Sequence, residues 1–140
     1  MRIWRAVVLV AISLIALQAC AGSMKGVVRR DAKRIEITYT DSRIGQAVLR
    51  TTLPDGERFE GKLVRIGAAD SQSNAAATGN ESADFGDVMV FDGNAEATLF
   101  GDRGNIMKCR FHLTDSIIGL SSGGFGLCQD SRGRAIDVFF

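Results

Sequence analysis

Residues 95–113 read AEATLFGDRGNIMKCRFHL, and how this stretch folds back on itself decides the fold. Ala95, Ala97 and Leu99 alternate with Glu96, Thr98 and Phe100, and Met107, Cys109, Phe111 and Leu113 alternate with Lys108, Arg110 and His112. A period of two puts each apolar set on one face of a strand. Asp102-Arg103-Gly104 between them offers a three-residue loop with glycine at its left-handed position, the G1-bulge hairpin. That turn sets Gly101 opposite Asn105, Leu99 opposite Met107, Ala97 opposite Cys109 and Ala95 opposite Phe111. Small residues then face large ones, as a packed face requires.

The next hairpin can be set by cysteines. If Cys109 and Cys128 bond, their strands bring Phe111 near Gly126 and Leu113 near Gly124, so that an aromatic ring covers strand glycine. An offset of one or two residues stays open, because direct cross-strand cystines are geometrically demanding. Ser131-Arg132-Gly133 repeats the turn chemistry of Asp102-Arg103-Gly104. It places Cys128 opposite Ile136, Gly126 opposite Val138 and Gly124 opposite Phe140, with Phe139-Phe140 read as the buried end of the last strand.

Upstream the period of two continues. Ile35, Ile37 and Tyr39 form one face, as do Ala47, Leu49, Thr51 and Leu53, and then Phe59, Gly61 and Leu63. Pro54-Asp55-Gly56 is a turn, with proline fixing φ and glycine supplying φ > 0. Val88, Val90 and Phe85 suggest a further strand. The expectation is an all-β domain of seven or eight short antiparallel strands in a meander, forming a small closed barrel or a two-sheet sandwich. Residues 67–84, rich in Ala, Ser, Asn, Asp and Gly, contain no large apolar residue and are expected to form a disordered or mobile loop.

The N-terminus has a different physical character. Residues 1–19 hold Arg2, Arg5, the only Trp of the chain (Trp4) and no acid, and residues 6–17 are apolar except for Ser13. This run is too short for a spanning helix, which needs about 20 apolar residues, and fits the h-region of an export signal. Without it, 121 of the 140 residues remain, with 15 basic and 16 acidic side chains. That length suits one small domain and excludes a large multidomain enzyme. Near-neutral charge argues against nucleic-acid binding, which needs a basic surface.

Leu17-Gln18-Ala19-Cys20 resembles the lipobox of bacterial lipoprotein precursors, with Gln18 standing where a small residue is usual. The resemblance implies cleavage before Cys20, diacylglycerol on its thiol, an acyl chain on its new amine, and no other cofactor. It also implies a bilayer as partner and, since Ala21 rather than Asp follows, an outer-membrane address. The alternative is a conventional signal cut near Ala19 or Ala21. The organisation expected is a signal peptide at 1–19, a lipidated cysteine and flexible tether at 20–32 (Gly22, Ser23, Lys25, Gly26), and one β-domain at 33–140. The mature domain is also similar to small bacterial envelope lipoproteins, a likeness that brings no functional motif.

With Cys20 carrying lipid, Cys109 and Cys128 remain as an even pair. Export exposes them to oxidation, so a disulfide is expected. A metal site would need more ligands than the single His112, and a separation of nineteen residues is no CxxC redox motif.

Little else suggests chemistry. The glycine-rich residues 119–126 (GLSSGGFG) run towards a cysteine-bearing strand, whereas a phosphate-binding loop leads into a helix and usually carries Lys. His112, Asp115 and Ser116 supply triad residue types without a GxSxG elbow, and alternation places His112 on the solvated face. Arg29, Arg30, Lys33 and Arg34 form a basic run near the anchored end, where they could approach anionic lipid or polymer, or an ordinary solvated hairpin turn. No small-molecule substrate is indicated. The leading expectation is a non-enzymatic lipoprotein that acts by binding or structural support. The alternative is an envelope inhibitor of a hydrolase such as lysozyme or a protease. Residues 121–125 (SSGGF) are similar to the Ser-Gly-x-x-Tyr loop of lysozyme inhibitors, but Phe125 replaces the tyrosine and no site is carried over.

Overall fold

The computed structural model describes residues 21–42, 46–66 and 85–140. Eight antiparallel strands run in chain order: β1 (Ala21–Val28), β2 (Arg34–Ser42), β3 (Gln46–Thr52), β4 (Arg58–Arg65), β5 (Ala95–Gly101), β6 (Ile106–Leu113), β7 (Gly124–Asp130) and β8 (Ala135–Phe139). Each pairs with the next, and β8 pairs with β1, with Lys25 opposite Phe139 and Val28 opposite Ile136. The sheet is therefore a closed barrel and not a sandwich. Closure leaves no unpaired edge.

An eight-stranded barrel is just wide enough for side chains to fill its interior. Here the filling comes from the inward-facing members of each alternating strand, among them Met24, Ile37, Leu49, Phe59, Leu63, Leu99, Met107, Phe111, Ile136 and Val138. Large residues meet small ones across the sheet, Phe111 against Ala95 on one side and against Gly126 on the other. A Cβ at Gly126 would collide with the Phe111 ring and lie 2.7 Å from the Arg110 carbonyl oxygen, so only glycine fits there.

The register of the last four strands is the one the sequence implies. Leu99 faces Met107, Ala97 faces Cys109, Cys109 faces Cys128, and Cys128 faces Ile136. Gly104 adopts φ of 84° and Gly133 of 78°, the left-handed values that the two three-residue turns require. Cys109 and Cys128 form a disulfide across β6 and β7 with Cα atoms 4.0 Å apart. The Thr114 N–H bonds the Gly123 carbonyl, and the Ser131 N–H bonds that of Ile106. The odd-numbered positions of β6 between these bonds are thus non-hydrogen-bonded pairs, where Cα atoms come closest.

Three expectations are corrected, and of the two readings of the basic run the solvated turn is the one found. The segment read as a flexible tether, with Gly22, Ser23, Lys25 and Gly26, is β1 itself, so the barrel begins at Ala21 rather than near residue 33. Its glycines serve packing: a Cβ at Gly26 would press on Ile35 and Ile136 from the two flanking strands. The strand expected around Phe85, Val88 and Val90 is a short helix, α1 (Gly86–Val90), in which Val88 is buried. Phe139, read as buried, is 55% exposed, because inward phase belongs to Val138. Finally, Arg29, Arg30, Lys33 and Arg34 lie at the far end of β1, roughly 25 Å from Ala21 at strand rise. There Arg29 pairs with Asp137 at 2.8 Å and Lys33 with Asp31 at 3.8 Å, as in an ordinary solvated turn. Residues 1–20, including Cys20, and the loop at 67–84 lie outside the described residues.

Candidate functional site

The meander gives the barrel two unlike ends. At one, the closed end, four short connections follow β1, β3, β5 and β7. At the other, the open rim, lie the start of β1, the end of β8 and the longer connections after β4 and β6.

The closed end is built on charges in inward phase. Glu57 keeps the phase of Leu53 and Phe59, Asp130 that of Gly126 and Cys128, and Arg134 that of Ile136 and Val138. Glu57 is fully buried, and Asn105 Nδ2 donates to both of its carboxylate oxygens at 2.9 and 3.0 Å. Asp130 is also buried. It accepts the backbone N–H groups of Arg132 at 3.0 Å and Arg134 at 2.8 Å, and Arg134 Nε at 2.6 Å. The same guanidinium donates through Nη1 to Asp55 Oδ2 at 2.6 Å, and its Nη2 lies 3.8 Å from Glu57 Oε2. Arg132 adds contacts to Asp55 at 3.3 Å and to Glu57 at 3.8 Å. Burying a carboxylate is tolerable only with such partners.

This network ties three turns together, one each from the β3–β4, β5–β6 and β7–β8 connections. Its electrostatics favour fixed charges. The Glu57 backbone N–H, followed by the Arg134 guanidinium, holds the Asp55 carboxyl below the usual carboxylate range. Burial works against the charge of Arg134, but its hydrogen bonds to Asp55 and Asp130 prevail and raise its pKa. A general acid or base must exchange a proton near the working pH. An Asp55 held as an anion and bonded to arginine suits bracing better than proton transfer.

At the open rim apolar side chains cover the barrel interior. A 3-10 helix (Gly119–Ser122) buries Leu120 against the barrel end, and Phe140 sits edge-on to Phe111 with ring centroids 6.1 Å apart. Asn94 bonds the β6 end through its side chain, donating to the Leu113 carbonyl at 3.0 Å and accepting the Leu113 N–H at 2.8 Å. Outside the wall, α1 is flanked by Phe85, over which Lys108 sits at 5.0 Å, and by Phe91, whose ring is 5.9 Å from that of Phe125.

The triad residue types do not converge. His112 is exposed and stacked on Phe125 at 5.3 Å, while Asp115 Oδ1 accepts the backbone N–H groups of Ile117 and Ile118. The glycine-rich residues 119–126 make the 3-10 helix and the start of β7, with Ser122 Oγ donating to the Gly119 carbonyl at 2.7 Å. A shallow groove of about 860 Å³ crosses the outer wall over β2–β5, and four of its charged side chains pair with each other. Arg50 and Glu60, which pair across it at 2.9 Å, illustrate this. Such outward charge also differs from the apolar band of a lipid-facing barrel.

Of the site residues expected from sequence, Cys109 and Cys128 are brought together and Cys20 falls outside the described residues. The charged brace was missed. Its signal was present in Glu57, Asp130 and Arg134, three charged residues standing where alternation calls for core. Among the described residues no helix is long and apolar enough to cross a membrane, and no group of His, Cys, Asp and Glu is arranged to hold a metal. Compared with known proteins, the chain matches no protein-family model, no curated protein and no solved structure.

Proposed function

We propose that the chain is an envelope lipoprotein, anchored through acyl chains on Cys20, whose disulfide-stapled barrel works by binding or structural support and not by catalysis. The carrying observation is Leu17-Gln18-Ala19-Cys20 placed directly after a basic and then apolar leader. The buried Cys109–Cys128 disulfide agrees with an oxidising compartment. Each buried CH₂ of an acyl chain adds about 0.8 kcal/mol, so several chains make attachment effectively permanent. An outer-membrane location follows from Ala21 after the cysteine.

Metabolic labelling tests this reading. Palmitate incorporation and globomycin-sensitive processing are expected, and both should vanish in Cys20→Ala. Unchanged processing of that variant would sink the anchor. The alternative, inhibition of a lysozyme or protease, draws on residues 121–125, where Ser121 is exposed at the open rim. Pull-down from envelope extract separates the two, since recovery of a hydrolase supports the inhibitor and recovery of an assembly component supports the scaffold.

A further inference from the structure

The loop between β6 and β7 presents two adjacent isoleucines to water. Ile117 is 83% exposed and Ile118 58%. This presentation is built rather than incidental. Asp115 Oδ1 accepts the N–H of Ile117 at 2.7 Å and that of Ile118 at 3.2 Å. Ser122 Oγ accepts the Asp115 N–H at 3.0 Å and donates to the Gly119 carbonyl at 2.7 Å, closing the loop at its base. Leu120 points inward and is buried, so the same turn sends one apolar side chain into the barrel and two out of it.

Its position matters as much as its shape. Gly119 packs beside Asp41, with its Cβ position 3.2 Å from Oδ2. Asp41 adjoins Thr40, the register partner of Ala21. The isoleucines therefore project from the rim at which the chain enters the barrel. On the adjoining wall Phe125 and Phe139 face each other across β7 and β8, 47% and 55% exposed.

We propose that Ile117 and Ile118 are a membrane-insertion tip: they enter the acyl region of the bilayer that holds the lipids of Cys20, and seat the barrel with its open rim on the membrane. The inference rests on the lipid-anchor reading. If Cys20 carries the acyl chains, a single Cα–Cα step of about 3.8 Å separates it from the first residue of β1. Interfacial apolar groups bury roughly 5–10 Å into the headgroup and acyl boundary, so a rim held that close must contact lipid. Phe125 and Phe139 then lie at headgroup level and the buried charge network faces away.

Tryptophan fluorescence tests the tip. The full chain carrying Trp4→Phe and Ile117→Trp, isolated from membranes, has one Trp whether or not the leader is removed. It is reconstituted into phosphatidylcholine vesicles with plain or brominated acyl chains. Emission of the Ile117→Trp probe should fall about twofold or more in the brominated vesicles, as expected for a side chain at acyl depth. An Arg103→Trp probe at the closed end should not change, and adding Ile118→Ser to the Ile117→Trp chain should weaken the quenching. Acylated Cys20 with an unquenched Ile117→Trp probe overturns the tip and leaves the anchor standing. So does an unquenched but blue-shifted probe in native envelope, which would mean that a protein covers the isoleucines. If mass spectrometry finds Cys20 unacylated, the anchor reading fails by itself. The same chain added to the vesicles then decides the tip, which quenching supports and its absence refutes.

Discussion

The two ends of the barrel solve the same problem in opposite ways. Both must stop water entering a column of apolar side chains. The closed end uses short turns laced by buried charges, with Arg134 reaching Asp55, Asp130 and Glu57 from one guanidinium. The open rim uses apolar lids, Leu120 on the longer β6–β7 connection and Phe140 directly after β8. The difference teaches where each end can tolerate change. A directional network of buried charges is intolerant of losing a member, whereas an apolar lid loses only what its own contact supplies.

Removing the centre of the charged end should therefore have the largest effect. Arg134→Met leaves Asp130 buried without its guanidinium and Glu57 with Arg132 alone at 3.8 Å, and breaking a buried pair typically costs about 3–5 kcal/mol. Urea unfolding should show a loss of that size, and a loss below 1 kcal/mol, roughly that of a surface pair, would erase the distinction between the ends. The staple between the ends comes next. Closing a loop of about 20 residues is worth roughly 3 kcal/mol, so Cys109→Ala with Cys128→Ala should lower stability by about that amount in the same assay.

Acid should separate the ends by a smaller margin. The Asp55 carboxyl lies below its ordinary pKa in the folded protein, so its contribution is complete above about pH 4, where the free carboxylate is ionised. It is lost as pH falls through the folded value. Urea midpoints followed from pH 6 to pH 3 should drop less steeply in Asp55→Asn than in the parent chain, and parallel curves would exclude Asp55 as a source of acid sensitivity. The smallest effect belongs to the rim tip. Ile117→Ser with Ile118→Ser removes exposed side chains and should change stability by no more than about 0.5 kcal/mol. A loss comparable to that of Arg134→Met would mean that the loop is core and not display.

Much of the barrel was legible because its signals are local. Gly104 and Gly133 mark two turns whose geometry counts residues into register, aligning Met107 and Cys109 with Leu99 and Ala97 and Ile136 with Cys128, while the cysteine pair set β6 against β7. What escaped depends on distant partners. Gly22, Ser23, Lys25 and Gly26 have weak strand propensity. They become a strand because β2 pairs with all four, β8, more than a hundred residues later, completes the pairing at Lys25 and Gly26, and Ile35 and Ile136 need the space over Gly26. The charged network likewise joins Asp55 to Arg134 across 79 positions. Its members stand in inward phase, but which acid meets which base is decided only when the ring of strands closes. The exposure of Phe139 is readable from its alternation with the buried Val138.

Closure also has a kinetic meaning. Seven of the barrel's pairings join neighbouring strands through a single connection, but β1 and β8 meet only through the whole chain, as in the Arg29–Asp137 bond, whose residues are 108 positions apart. Loop entropy delays such contacts behind local hairpins. During pulse-labelled refolding, the Arg29 amide bonded to the Ala135 carbonyl should gain protection after the Asp130 amide bonded to the Arg134 carbonyl. Simultaneous protection would indicate a concerted collapse. Until that last seam zips, β1 and β8 are open edges able to recruit strands from other chains. The barrel is thus aggregation-prone for as long as its final strand is unmade, and the arrival of residues 135–139 ends that exposure.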